Sequence, residues 1–104
     1  MEKITDLNIY KMLSDEVRLK ILKMLSIQNM AVGEIVEKTG MDQPLISHKL
    51  KELRENGLTL SYRSGKSIIY SLSSDSLKEV ISVVESAGNK IDYVCNCVEC
   101  KEND

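Results

Sequence analysis

The chain has no tryptophan, no phenylalanine, and only one proline and one histidine in 104 residues. Without the two largest apolar side chains, its core has to be assembled from Leu, Ile, Val and Met. A chain of this length has little core to spare, and pairing with a second copy is one way to complete it. No apolar run approaches the length of a membrane span, so no membrane partner is expected. Met1-Glu2-Lys3-Ile4 lacks the basic-then-apolar pattern of a secretory signal, which makes the cytoplasm the expected compartment. A glycine-rich phosphate cradle is missing, and the lone His48 has no nucleophile or ligand partner near it in sequence, so an enzyme is not expected. Three cysteines bunched within six residues exclude the disulfide framework of a small secreted domain.

An excess of positive charge is also absent, since the net charge is −2. The distribution is more informative than the sum. Residues 47–66 carry five Lys or Arg against two Glu, whereas residues 92–104 carry one Lys against four acids. The local basic surplus falls on one stretch, Asp42 to Gly57, and on the segment that follows it. An overall acidic chain keeps non-specific attraction to nucleic acid weak, which suits a protein that must find one site.

Asp42-Gln43-Pro44-Leu45-Ile46-Ser47-His48-Lys49-Leu50-Lys51-Glu52-Leu53-Arg54-Glu55-Asn56-Gly57 predicts a helix. Asp42 is a good N-cap, Pro44 is tolerated in the first turn, and Asn56-Gly57 supplies a left-handed stop. Leu45, Ile46, Leu50 and Leu53 form the apolar face. Gln43, Ser47, His48, Lys51 and Arg54 remain for the other face, a set able to hydrogen-bond bases and neutralise phosphates.

Before it, a first helix is expected from near Thr5 to about Met12, with Ile4, Leu7, Tyr10 and Leu13 as candidate buried positions. Ser14 is the expected cap of a second helix with Val17, Ile21, Leu22 and Leu25 inward and Arg18, Lys20 and Lys23 mostly outside. A third helix covers roughly Val32 to Lys38, with Val32, Ile35, Val36 and Met30 inward. Thr39-Gly40-Met41 is then a turn. A short helix, a glycine turn and a capped helix with polar residues near its start make a helix-turn-helix pattern.

After Gly57 the period becomes alternating: Leu58, Leu60 and Tyr62 share one strand face, and Ile68, Tyr70 and Leu72 share one face of the next. Arg63-Ser64-Gly65-Lys66 reads as the tip of a basic hairpin. A fifth helix begins at Ser73, Ser74 or Ser76, the last of which fits a capping box with Glu79. Its stripe is Leu77, Val80, Ile81 and Val84, and Gly88-Asn89 is the expected end. Residues 1–91 are therefore expected to form a DNA-binding and dimerisation domain, and residues 92–104 a cysteine-containing tail.

The residues expected to touch DNA are Gln43, Pro44, Ser47, His48, Lys49, Lys51, Arg54, Arg63 and Lys66. Gln43, Ser47 and His48 lie in the half of the helix that enters a major groove and are the base-edge candidates. Lys51, Arg54, Arg63 and Lys66 are phosphate candidates, which position without specifying. A plainer alternative makes Lys49, Lys51 and Arg54 a solvated face paired with Glu52 and Glu55. A winged helix that binds protein instead of DNA is the competing class.

Leu13-Ser14-Asp15-Glu16-Val17-Arg18-Leu19-Lys20-Ile21-Leu22, the stretch Gln43 to Leu58, and Arg63-Ser64-Gly65-Lys66 followed by Ile69-Tyr70-Ser71-Leu72 together resemble the ArsR family of winged-helix repressors. These are metal-sensing regulators of bacteria and archaea, and the resemblance covers roughly Ile9 to Leu72. It implies a mainly α fold with a β-hairpin (α+β), a winged helix-turn-helix that dimerises through its N- and C-terminal helices. It also implies a palindromic double-stranded operator, repressed until an inducer arrives. Two sensing sites of the family have no counterpart here. Ala31-Val32-Gly33 stands where the Cys-Val-Cys core of the third-helix site would be, and Ser74 and Ser76 stand where the zinc site of the last helix has Asp and His.

Cys95, Cys97 and Cys100 remain as the candidate sensor. Three thiols this close can fold around one soft ion. A three-thiolate site suits As(III) or Sb(III), which take pyramidal coordination, and Zn(II), Cd(II) or Pb(II) are alternatives. Zinc prefers four ligands, for which Asp92, Glu99, water or a partner's thiol are available. A redox sensor that closes a disulfide between two of the three thiols is the second reading.

Overall fold

The computed structural model of the chain describes residues 5–95, and the side chains of residues 6–89. The elements run α1 (Thr5–Leu13), α2 (Glu16–Ile27), β1 (Met30–Ala31), α3 (Val32–Thr39), α4 (Gln43–Glu55), β2 (Thr59–Ser64), β3 (Ser67–Leu72) and α5 (Asp75–Cys95). Ile21, Leu22 and Leu25 of α2, Ile35 of α3, and Ile46, Leu50 and Leu53 of α4 meet in one core. Spacings of three and four put each set on a single helix face. Burying each such side chain stabilises the fold by about 1.5–3 kcal/mol.

The caps differ from expectation in two places. Asp15, not Ser14, caps α2: its Oδ2 accepts the Arg18 backbone N–H at 2.9 Å. Ser14 is instead a donor, its Oγ bonding the Lys11 carbonyl at 2.6 Å and closing the last turn of α1. A carboxylate can only accept, so it suits the helix start, where free N–H groups point outward. Asp42 occupies the N-cap position of α4 but makes no side-chain cap bond there. Pro44 contributes no N–H, which leaves fewer donors to be capped.

The turns follow the expected chemistry. Gly40 closes α3 in the left-handed region (φ 71°), with its N–H on the Val36 carbonyl. At the end of α4 the Leu58 N–H reaches the Leu53 carbonyl and the Gly57 N–H reaches the Arg54 carbonyl, which is a Schellman ending with Gly57 at φ 84°. Leu53 and Leu58 are both buried beside it, so the stop also seals the core.

β1, β3 and β2 form an antiparallel sheet in that order, with Met30 opposite Tyr70 and Ser64 opposite Ser67. Gly65 and Lys66 make the two-residue loop between β2 and β3. Gly65 has φ 62° and Lys66 does not have a positive φ, the pattern of a type II′ hairpin. β1 was not foreseen, because two residues carry no period and its pairing partner lies far along the chain.

Several expected core residues face outward. Leu7 and Tyr10 are 48% and 70% exposed, because α1 turns Met12, with Ile9 and Leu13, toward the core instead. Leu45 is exposed, lying about 100° around α4 from Ile46. The expected stripe of α5 splits: Leu77 and Ile81 are buried, whereas Val80 and Val84 are exposed, as is Val83 outside the stripe. Ser74 is its cap, accepting the Leu77 N–H at 3.2 Å. The expected end at Gly88-Asn89 is overturned, since α5 continues to Cys95. Gly88 does not adopt a positive φ, and a glycine inside a helix costs only about 1 kcal/mol relative to alanine. The division drawn at residue 91 therefore falls within this helix. Among the described residues, no helix is long and apolar enough to cross a membrane.

Candidate nucleic-acid interface

Ile46, Leu50 and Leu53 seat α4 on α2 and α3, which fixes its opposite side toward solvent. Gln43, Pro44, Ser47, His48, Lys51 and Arg54 are all exposed there. The Asp42-Gln43-Pro44 end is the free, N-terminal end, where unpaired backbone N–H groups add a partial positive charge. Arg63 is exposed one residue before the end of β2, and Lys66 is exposed in the hairpin loop. Helix face and hairpin tip thus present polar and cationic groups that, His48 aside, have no hydrogen-bond or ion-pair partner among the described residues.

Lys49 is placed differently from the other candidates. Its side chain is only 17% exposed, and its Nζ lies 3.4 Å from Asp15 Oδ1 and 3.8 Å from Glu52 Oε1. The ammonium is held against the α2 start, not on the outward face. His48 Nε2 lies 3.6 Å from Glu52 Oε2, with the ring 65% exposed. Glu52 is the hub, since Arg18 Nη1 also donates to its Oε1 at 3.0 Å.

Arg18 was expected mostly outside the core, yet its side chain is 13% exposed. Its Nε donates to the Met12 carbonyl and its Nη2 to the Lys11 carbonyl, both at 3.1 Å. Asp15 completes the cluster. Its carboxyl is held below the usual carboxylate value, chiefly by the Arg18 backbone N–H; burial opposes this, and the Lys49 bond and the Lys49 and Arg18 charges add to the lowering. Arg18, Asp15 and Glu52 were missed as a group because their contacts span as many as 34 positions. The local signals were the pairings of Glu52 with His48 and with Lys49 one helical turn apart, the second of which the sequence already suggested.

Among the described residues, no cluster of three His, Cys, Asp or Glu side chains is placed to hold a metal ion. Cys95 is the last residue of α5. Cys97 and Cys100 lie outside the described residues.

Residues 15–59, from the α2 cap to the first residue of β2, match the family described as bacterial regulatory protein, arsR family. The chain is 35% identical over 85 residues to the transcriptional repressor SdpR of Bacillus subtilis, covering 82% of this chain and 94% of that protein. It is 30% identical over 96 residues to an arsenical resistance operon repressor of Staphylococcus xylosus, covering 92% and 91%. A solution structure of the homodimeric winged helix-turn-helix DNA-binding domain of Mb0332 from Mycobacterium bovis superposes with a TM-score of 0.77. It has 26% identity, covering 83% of this chain and 80% of that one. α3, the Gly40 turn and α4 are therefore the helix-turn-helix of a winged helix fold, and the β2–β3 hairpin is its wing. The chain belongs to the ArsR family of bacterial regulatory proteins, which are DNA-binding transcription regulators and not enzymes.

Proposed function

We propose that this chain is a homodimeric cytoplasmic repressor that holds a palindromic double-stranded operator and releases it when a soft ion binds Cys95, Cys97 and Cys100. The observation that carries the DNA half is the exposed polar start of α4 together with the exposed cations of the wing tip. Gln43, Ser47 and His48 read base edges, with Pro44 at the groove. Lys51, Arg54, Arg63 and Lys66 hold phosphates. Lys49, spent on Asp15 and Glu52, supports the helix instead. Leu7, Tyr10, Val80, Val83 and Val84 are the apolar surface on α1 and α5 that a second copy covers.

Three thiolates are a soft donor set, and As(III) is the ion whose pyramidal geometry they suit best, ahead of Zn(II), Cd(II) and Pb(II). The arsenical resistance repressor of S. xylosus supports that choice as a relative that matches over nearly the whole chain. Cys95 belongs to the same helix as Val80, Val83 and Val84, so an ion bound there acts on the helix that sets the spacing of the two reading heads. A shift of a few ångströms in that spacing breaks the match to successive major grooves.

The test is fluorescence anisotropy on the duplex upstream of the chain's own gene, with As(III), Zn(II), Cd(II), Pb(II) and a thiol oxidant titrated in turn. As(III) should release the wild type and leave the C95S/C97S/C100S variant bound. Release by oxidant alone establishes the disulfide sensor in place of the ion. Release of the triple variant by As(III) moves the sensor elsewhere. Absence of binding to DNA at any salt concentration favours a protein-binding adaptor.

A further inference from the structure

We infer that Arg18 is a positioning residue for base reading, acting through Glu52 on His48. The inference rests on the assignment of α4 as the reading helix. Arg18 uses its planar fork on three acceptors at once: the Lys11 and Met12 carbonyls at the end of α1, and Glu52 Oε1 on α4. Its own backbone N–H is taken by Asp15, whose other oxygen takes Lys49 Nζ. The corner between α1 and α2 therefore grips α4 at two residues, Lys49 and Glu52. These are the positions one residue and one turn beyond His48.

Glu52 links this grip to the DNA face. Its Oε1 receives Arg18 and its Oε2 lies 3.6 Å from His48 Nε2. With Arg18 in place, one oxygen is occupied from below and the other is left for the imidazole above. Without Arg18, a carboxylate that is only 32% exposed loses its one hydrogen-bonded cation and can turn both oxygens toward Lys49 and His48. The imidazole then shifts with it. α1 is also the helix whose Leu7 and Tyr10 are exposed, so the same guanidinium ties the pose of the reading helix to the face proposed for the second copy. A lysine cannot replace it, because an ammonium does not present a fork to three acceptors lying in different directions.

His48 is the only histidine, so its imidazole gives a single, assignable NMR signal. Two measurements on the full-length chain test the inference: that signal in DNA-free protein, and the ratio of operator to random-duplex affinity. A fraction of unfolded protein cancels in the ratio, so a purely structural role leaves it unchanged. For R18Q the His48 signal should move and the ratio should fall about tenfold, the equivalent of one poorly read base pair. R18K should behave like R18Q. E52Q combined with R18Q should lower the ratio no further than either change alone, because both cut one chain of contacts. An unmoved His48 signal with an unchanged ratio overturns the inference, even if thermal stability falls. A wild type that shows no operator preference refutes the DNA assignment. In that case a moved His48 signal in R18Q still establishes the link between Arg18 and His48, and an unmoved one refutes it.

Discussion

Salt dependence separates Lys49 on α4 from Lys66 in the wing loop. Lys51, Arg54, Arg63 and Lys66 are exposed, whereas Lys49 is held by Asp15 and Glu52. A dimer using the four exposed cations of each protomer neutralises about eight phosphates, which gives a slope of log K against log salt of about −7. K66A removes one contact per protomer and should bring the slope to about −5. Raising salt from about 50 to about 200 mM should then cost the wild type about four decades of affinity and K66A about three. K49A removes a charge that is already compensated within the protein, so its slope should stay near −7 even where its affinity drops. Anisotropy titrations of a labelled operator over that range of salt measure all three. A K49A slope as flat as that of K66A would refute the placement of Lys49, and a K66A slope equal to the wild type would remove the wing tip from the interface.

Two further predictions concern stability. Asp15 has its folded pKa depressed, so its contribution is complete above the ordinary carboxylate range, near pH ~4, and is lost as pH falls through the lower folded value. Asp15→Asn keeps a capping oxygen but no charge, and denaturant melts between about pH 2 and 6 should show a shallower acid decline than in the wild type. An equal decline in both would rule out this carboxylate as a source of acid lability. Thr59 is 1% exposed, and its Oγ1 has no hydrogen-bond partner among the described residues. Thr59→Val should raise stability by about 1 kcal/mol, or a few degrees in Tm, by removing a buried unpaired hydroxyl. A lower Tm by calorimetry would mean that the hydroxyl is satisfied.

The sequence conveyed the helix-turn-helix and wing well, because each was marked by a local device. Gly40 and Gly57 end helices where positive φ is required, and Gly65 sits in the hairpin loop. The spacing of Ile46, Leu50 and Leu53 fixed which side of α4 is buried, and with it the exposed set Gln43, Ser47, His48, Lys51 and Arg54. What periodicity could not convey was which of two apolar sides of a helix finds a partner within the chain. Leu7 and Tyr10 share a face, as do Val80 and Val84, but the core takes Met12 and Ile81 instead. Arg18 was opaque for another reason. A cation beside a core stripe is ordinarily solvated, and only the arrival of two α1 carbonyls and a glutamate 34 positions away gives it something to bind. Ser14 was the expected cap, but the adjacent Asp15 has a similar intrinsic capping preference, and the hydrogen-bond partner available to each decides that Asp15 caps α2.

The two-residue strand β1 has a consequence for the kind of DNA the protein tolerates. Ala31 pairs with Ile69 of the wing and at the same time is the N-cap residue of α3, its N–H bonded to Glu34 Oε1 at 2.9 Å. The wing and the helix pair therefore share a joint at Ala31, which couples the placement of the Lys66 loop to that of α3. On the proposed interface, a duplex has to meet α4 and the Lys66 loop at once. Its groove width and stiffness should then become part of the address, so that flanking base pairs outside the contacts still change affinity through the work of fitting them to two linked contact points.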